Sequence, residues 1–289
     1  MNKTQMAIRP STPPRPQIAF KKMHGLGNDF IILDGRANPI MIDPKTMAAM
    51  ANRKTGIGCD QIIILEQPRD NAADIFMRII NADGTEVWAC GNATRCVAWD
   101  IAAEKNQTHV TIETRAGLLE CEIAGDHLVS VDMGIAKLDW RDIPLKNACD
   151  TMDMQIELPG ADLPRAVGVN MGNPHAVFFI DDVASFDVAR FGPMIETHPM
   201  FPEKTNVEFV QILAQSRVRM RVWERGAGIT DACGTGACAV GVAAVRKNLT
   251  DRKITVVMDG GELQIEYLRD GHVIMTGPCA TSFVGTVTI

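Results

Sequence analysis

From Ile18 onward the chain is a succession of short apolar runs, each closed by Gly, Asp or Asn. QIAFKKMHG, DFIILDG, DQIIILEQ, ADIFMRIINADG, VTIETRAG, LLECEIAG and HLVSVDMG have the β-branched content and turn-residue ends of strands. RAVGVNMG, HAVFFID, TNVEFVQIL, SRVRMRVWERG, KITVVMDG, LQIEYLR and HVIMTG continue the rhythm. Helical patterning interrupts it at about 44–53, 91–105 and 234–247. Residues 1–16 hold four prolines and no apolar period, the pattern of a disordered tail.

The order of the runs repeats. Gln61 lies 33 residues after Asn28 of GLGNDF, and Asn206 lies 33 after Asn173 of NMGNPH. Cys90 follows Asn28 by 62 residues, and Cys233 follows Asn173 by 60. Asn81 and Glu224 each stand nine residues before their cysteine. Four landmarks in matching order indicate an internal duplication. The expected fold is α/β (α+β), with two pseudo-symmetric domains at 17–134 and 135–277, the first completed by 278–289.

Composition narrows the functions. A chain of 289 residues with 46% hydrophobic content can bury a substantial core. Its 29 basic and 35 acidic residues leave a net charge of −6 and no basic stripe, so nucleic acid is not an expected partner. There is no apolar run of the roughly 18 residues that span a bilayer and no signal-like h-region, so the expected location is the cytoplasm. The expected partners are small molecules or a second copy of the chain, as a homodimer. Eight cysteines lack zinc-ligand spacing, and no metal is expected. Cys59, Cys96, Cys121, Cys149, Cys238 and Cys279 are read as packing residues.

Cys90 and Cys233 differ from these because each opens a C-G-[NT] turn where a helix begins. Asn92 and Thr235 are expected as the N-caps. The open N–H groups and the dipole at such an end bind anions and lower a thiol pKa. Convergence of the two helix starts would hold a carboxylate with one sulfur on each side. Inverting a stereocentre beside a carboxylate without a cofactor needs a base on one face and an acid on the other, and a thiolate/thiol pair supplies both. His175 occupies a repeat landmark and is read as part of this site.

KMHGLGNDFIILDG, GIGCDQIIILE, RIINADGTEVWACGNATRCVA, VNMGNPHAVFF, FPEKTNVEFV, WERGAGITDACGTGACA and TGPCATSFVG, in that order, resemble the diaminopimelate epimerase family over nearly the whole chain after the tail. The resemblance implies a cofactor-independent isomerase that interconverts LL- and meso-diaminopimelate, for lysine and peptidoglycan. It implies two similar domains, each a mixed sheet wrapped around a central helix, with the active site in the cleft between them. Cys90 and Cys233 match the acid/base cysteines, and His175 and Glu224 match the residues that assist them. Asn28, Gln61, Asn81, Asn173, Asn206 and Arg225 would meet the distal end of the substrate. The amides of Gly91, Asn92, Gly234 and Thr235 would hold the reacting carboxylate. Ala93, Ile229 and Asp231 depart from the family pattern. The alternatives are a proline or hydroxyproline racemase-like enzyme, disfavoured by Asn92 after the first CG, and a non-catalytic binding relative, disfavoured by the presence of both cysteines, His175 and Glu224.

Overall fold

The computed structural model describes residues 17–88, 90–160 and 163–288, so the expected tail lies outside the described residues. The first half runs β1 (Gln17–Gly25), β2 (Asn28–Asp34), α1 (Pro44–Ala51), β3 (Gln61–Glu66), β4 (Ile75–Asn81), β5 (Glu86–Val87), α2 (Gly91–Lys105), β6 (His109–Thr114), β7 (Gly117–Gly125) and β8 (Leu128–Ile135). The second runs β9 (Val167–Asn170), β10 (Pro174–Phe179), α3 (Val188–Glu196), β11 (Asn206–Ala214), β12 (Arg217–Glu224), β13 (Gly228–Thr230), α4 (Gly234–Arg246), β14 (Lys253–Met258), β15 (Gly261–Tyr267) and β16 (His272–Pro278). A last strand, β17 (Ala280–Thr288), returns to pair with β1.

The fold is mixed α/β, and the two halves pair alike. β2 runs parallel to β3 as β10 does to β11. β4 lies between β3 and β6 as β12 lies between β11 and β14. The antiparallel series β6–β7–β8 is matched by β14–β15–β16, and β8 pairs with β16 to join the halves. Each half wraps around one helix, α2 or α4.

Alternation explains why the strands read as continuous apolar runs: both faces are covered. In β2, Phe30 and Ile32 point to the α2 core, while Ile31 and Leu33 point to a second core under α1. In β10, Val177 joins the α4 core, while Ala176 and Phe178 join a core under α3. The α3 helix was not expected from sequence; Asp187 caps it by accepting the Arg190 N–H, and Pro193 sits inside it. Cys149 is exposed rather than packed, because it lies in the irregular chain between the halves. Among the described residues no helix is long and apolar enough to cross a membrane.

Candidate active site

The helix starts are not capped as the sequence suggested. Cys90 (φ −152°, ψ 104°) and Cys233 (φ −129°, ψ 111°) are themselves the extended N-cap residues, and Asn92 and Thr235 fall inside the first turns. Neither sulfur makes a capping hydrogen bond, so first-turn N–H groups stay available to a ligand. The glycines that follow let the two ends approach. A Cβ on Gly91 would come within 2.9 Å of Met275 Cε, and one on Gly234 within 3.2 Å of Met275 Sδ and 3.7 Å of Asn92 Oδ1. The two helices therefore converge over one methionine.

Above that point lies a cavity of about 820 Å³, in the range of small-molecule sites. Cys90, Gly91 and Asn92 line it from one half, and Cys233, Gly234 and Thr235 from the other. Asn28, Gln61 and Asn81 supply amides from the first half, Asn173 an amide and Glu224 a carboxylate from the second. Leu26, Met133 and Met171 add apolar wall. Leu26 (φ 56°) and Gly27 (φ 84°) form the two-residue β1–β2 turn that puts Asn28 at the rim; both need the left-handed conformation, which costs Gly27 little and Leu26 more.

Burial overrides the helix ends in setting the thiols. It pushes half-buried Cys90 up to about 11, against the N–H groups of Ala93 and Asn92 and the charge of Arg95, which act downward. The Cys90 thiol donates to Asn28 Oδ1 at 3.8 Å, and Asn28 Nδ2 donates to Asp60 Oδ2 at 2.8 Å. Cys233 is 4% exposed, and burial raises its thiol well above the ordinary value, reinforced by the negative charges of Glu224 and Glu208. Burial therefore opposes, at both sulfurs, the lowering anticipated from the helix dipoles.

His175, Asn206 and Arg225 do not line the cavity. His175 is fully buried: Nε2 donates to Asn173 Oδ1 at 2.9 Å, and Nδ1 lies 2.7 Å from Glu208 Oε1. Burial raises the pKa of Glu208. Asn206 is held inside the strand, donating to the Pro174 carbonyl and accepting the Arg225 N–H. The Arg225 guanidinium turns outward to the Glu203 carbonyl at 3.1 Å. Glu224 accepts from the Thr230 hydroxyl, and Gln61 Nε2 donates to Asn81 Oδ1 at 2.9 Å.

The sequence reading missed Asp60, Glu208 and Arg95. Asp60 lines the cavity, and its place one residue before Gln61 was the available signal. Of the family departures, Ile229 is exposed, Asp231 lines the cavity and Ala93 is buried against α2's core. Gly236, the counterpart of Ala93 three residues after its cysteine, has no room for a Cβ: it would lie 2.9 Å from Glu208 Oε1. In the first half Ile63 replaces that carboxylate, and the Ala93 methyl is accepted.

The diaminopimelate epimerase family profile matches residues 20–138 and 167–281. The chain is 54% identical over 269 residues to a protein of Rhodospirillum centenum named diaminopimelate epimerase, covering 93% of this chain and 92% of that one. It is 51% identical over 266 residues to the protein of that name from Acidiphilium cryptum, covering 92% and 95%. A hydroxyproline epimerase structure from Agrobacterium vitis superposes with a TM-score of 0.68 at 13% identity, covering 96% of this chain and 92% of that one. A phenazine biosynthesis protein of the PhzF family from Bacillus anthracis gives 0.69 at 14%, covering 95% and 100%. These two likenesses concern the fold.

Proposed function

The chain belongs to the diaminopimelate epimerase family, and on that premise we propose that it interconverts LL- and meso-diaminopimelate with Cys90 and Cys233 as the paired acid and base. The observation that carries the reading is the convergence of two cysteine-capped helix starts on one cavity. A carboxylate set against the first-turn amides of Gly91, Asn92, Gly234 and Thr235 would have its α-carbon between the sulfurs. One cysteine, as thiolate, takes the α-proton; the other, as thiol, gives a proton to the opposite face. The electron pair left on carbon spreads onto the carboxylate, where both helix ends stabilise it.

The remaining residues fall into supporting roles. Asn28, Gln61, Asn81 and Asn173 offer amides to the distal end, and Asp60 offers a carboxylate to an ammonium. Glu224 faces the cavity beside Cys233, while His175 reaches it through Asn173. Arg225 and Asn206 serve the distal carboxylate only if the turn at Gly226 (φ 78°) and Gly228 (φ 86°) swings inward on binding. The product feeds lysine and peptidoglycan synthesis, and we place the protein in the cytoplasm. We read 17–134 and 135–277 as the two domains, with 278–289 completing the first. Phe283 and Val284, 48% and 68% exposed on the edge strand β17, support a homodimer.

The test is an assay of LL-diaminopimelate in deuterated water. The meso product is expected with deuterium at the inverted carbon. Unlabelled product from an active sample, or no product at all, overturns the scheme.

A further inference from the structure

Arg95 stands five residues after Cys90 in α2 and is fully buried, the largest such side chain among the described residues. Its donors reach only neutral acceptors: Nε the Pro278 carbonyl at 3.2 Å, Nη2 Asn92 Oδ1 at 2.9 Å and Nη1 Met275 Sδ at 3.6 Å. Among the described residues it has no carboxylate partner. The titratable groups near enough to act on its charge are cysteines: Cys96 in α2, Cys90 at the N-cap of α2, Cys279 after β16 and Cys238 in α4. A buried cation without a counter-ion is costly and is ordinarily paired or replaced by an apolar residue. Here the fold keeps a slot for it. A Cβ on Gly25 would lie 2.9 Å from Nη2, and one on Gly277 3.2 Å from Nε.

Of those four thiols only Cys90 opens on the cavity. Asn92 connects the two: it accepts from Arg95 and donates at 3.1 Å to Asn28 Oδ1, the acceptor of the Cys90 thiol. We propose that Arg95 is the counter-charge of Cys90, a positioning residue whose guanidinium, acting across Asn92, stabilises the thiolate formed there when the thiol proton leaves to cavity water. The inference rests on Cys90 being one of the two bases. Glu224, from β12, is the charged group that opposes Arg95 at Cys90.

The experiment measures carbamidomethylation of Cys90 by iodoacetamide as a function of pH, mapped by peptide mass, in the wild type and in Arg95→Met, Arg95→Gln and Arg95→Lys. The neutral variants are expected to raise the Cys90 midpoint by about one pH unit and to lower kcat at neutral pH roughly tenfold, with KM changed less than about twofold. Arg95→Lys, which keeps the charge, is expected to recover most of both. Folded neutral variants with the wild-type midpoint overturn the proposal. If neither neutral variant folds, the wild-type Arg95 Nε–H resonance, assigned by its loss in Arg95→Lys, decides. It is expected to shift with the midpoint of Cys90 alkylation, and a resonance flat through that midpoint overturns the proposal. A wild-type protein without epimerase activity would sink the functional reading, whereas the alkylation midpoints judge Arg95 separately.

Discussion

Phe30 pairs with Gln61 across β2 and β3, and His175 pairs with Asn206 across β10 and β11. This shared register lets the two sides of the cavity be compared position by position. Two residues further along the inner face, the first half has Ile63 and the second Glu208. Five residues after the capping cysteine, the first half has Arg95 and the second Cys238. Nine residues before it stand Asn81 and Glu224. Glu224 acts on both sulfurs, but the cation Arg95 acts on Cys90 and the second carboxylate, Glu208, on Cys233. Duplication supplied the position of two sulfurs; replacements around them made the sulfurs unequal. A single scaffold that must hold one acid and one base at the same pH needs this inequality.

Removing either sulfur breaks the comparison most completely. Cys90→Ala and Cys233→Ala are each expected to lose epimerisation of LL-diaminopimelate by at least about 10³-fold, since each face needs its own proton carrier. Turnover within about tenfold of wild type in either variant would show that its half is dispensable, and the two-sided reading would fall.

A smaller effect is expected from the pair found only in the second half. His175→Phe copies the first half's residue but leaves the buried Glu208 carboxyl without its partner, at an expected cost of about 3 kcal/mol in urea unfolding. Adding Glu208→Ile completes the copy and is expected to bring stability back to within about 1 kcal/mol of wild type, because an apolar pair of similar shape replaces a buried polar one. Activity is not expected to return with stability, as Asn173 would still lack the His175 N–H. Equal destabilisation in the single and double variants would show that Glu208 does not depend on His175.

The contrast between halves also marks what the sequence makes legible. Cys90, Cys233, the amides at the rim and the strand order follow from landmarks that are local in the chain and repeat, so spacing alone aligns them. Burial of a charge is decided by what packs against it from distant elements. Arg95 looks like one more polar residue in an amphipathic helix until Pro278, Met275 and the slot between Gly25 and Gly277 close over it. Glu208 sits in TNVEFV as the polar member of an alternating strand, but its face is the one turned to α4. Arg225 was set at the substrate by resemblance, but it lies in the β12–β13 turn with its guanidinium on the Glu203 carbonyl, outside the cavity lining. The α3 helix hid behind Pro193 and a short apolar stripe.

The finest test concerns the order in which the two thiols ionise. Burial raises both, but Cys90 is half-buried with Arg95 behind it, whereas Cys233 is enclosed with Glu224 and Glu208 adding to its rise. Iodoacetamide at mildly alkaline pH is therefore expected to modify Cys90 several-fold faster than Cys233, with exposed Cys149 as the internal reference. The same inequality fixes the sign of the pH dependence. Below the Cys90 value of about 11 its thiolate fraction grows tenfold per pH unit, so kcat/KM should climb from neutral into alkaline pH. It should fall only when Cys233 also loses its proton and no acid remains. Glu224→Gln removes one of the charges that hold Cys233 high, and is expected to bring its alkylation rate toward that of Cys90. If the wild-type thiols react at equal rates, or Cys233 reacts first, the asymmetry drawn from the two halves is wrong even though the pairing of their strands is not.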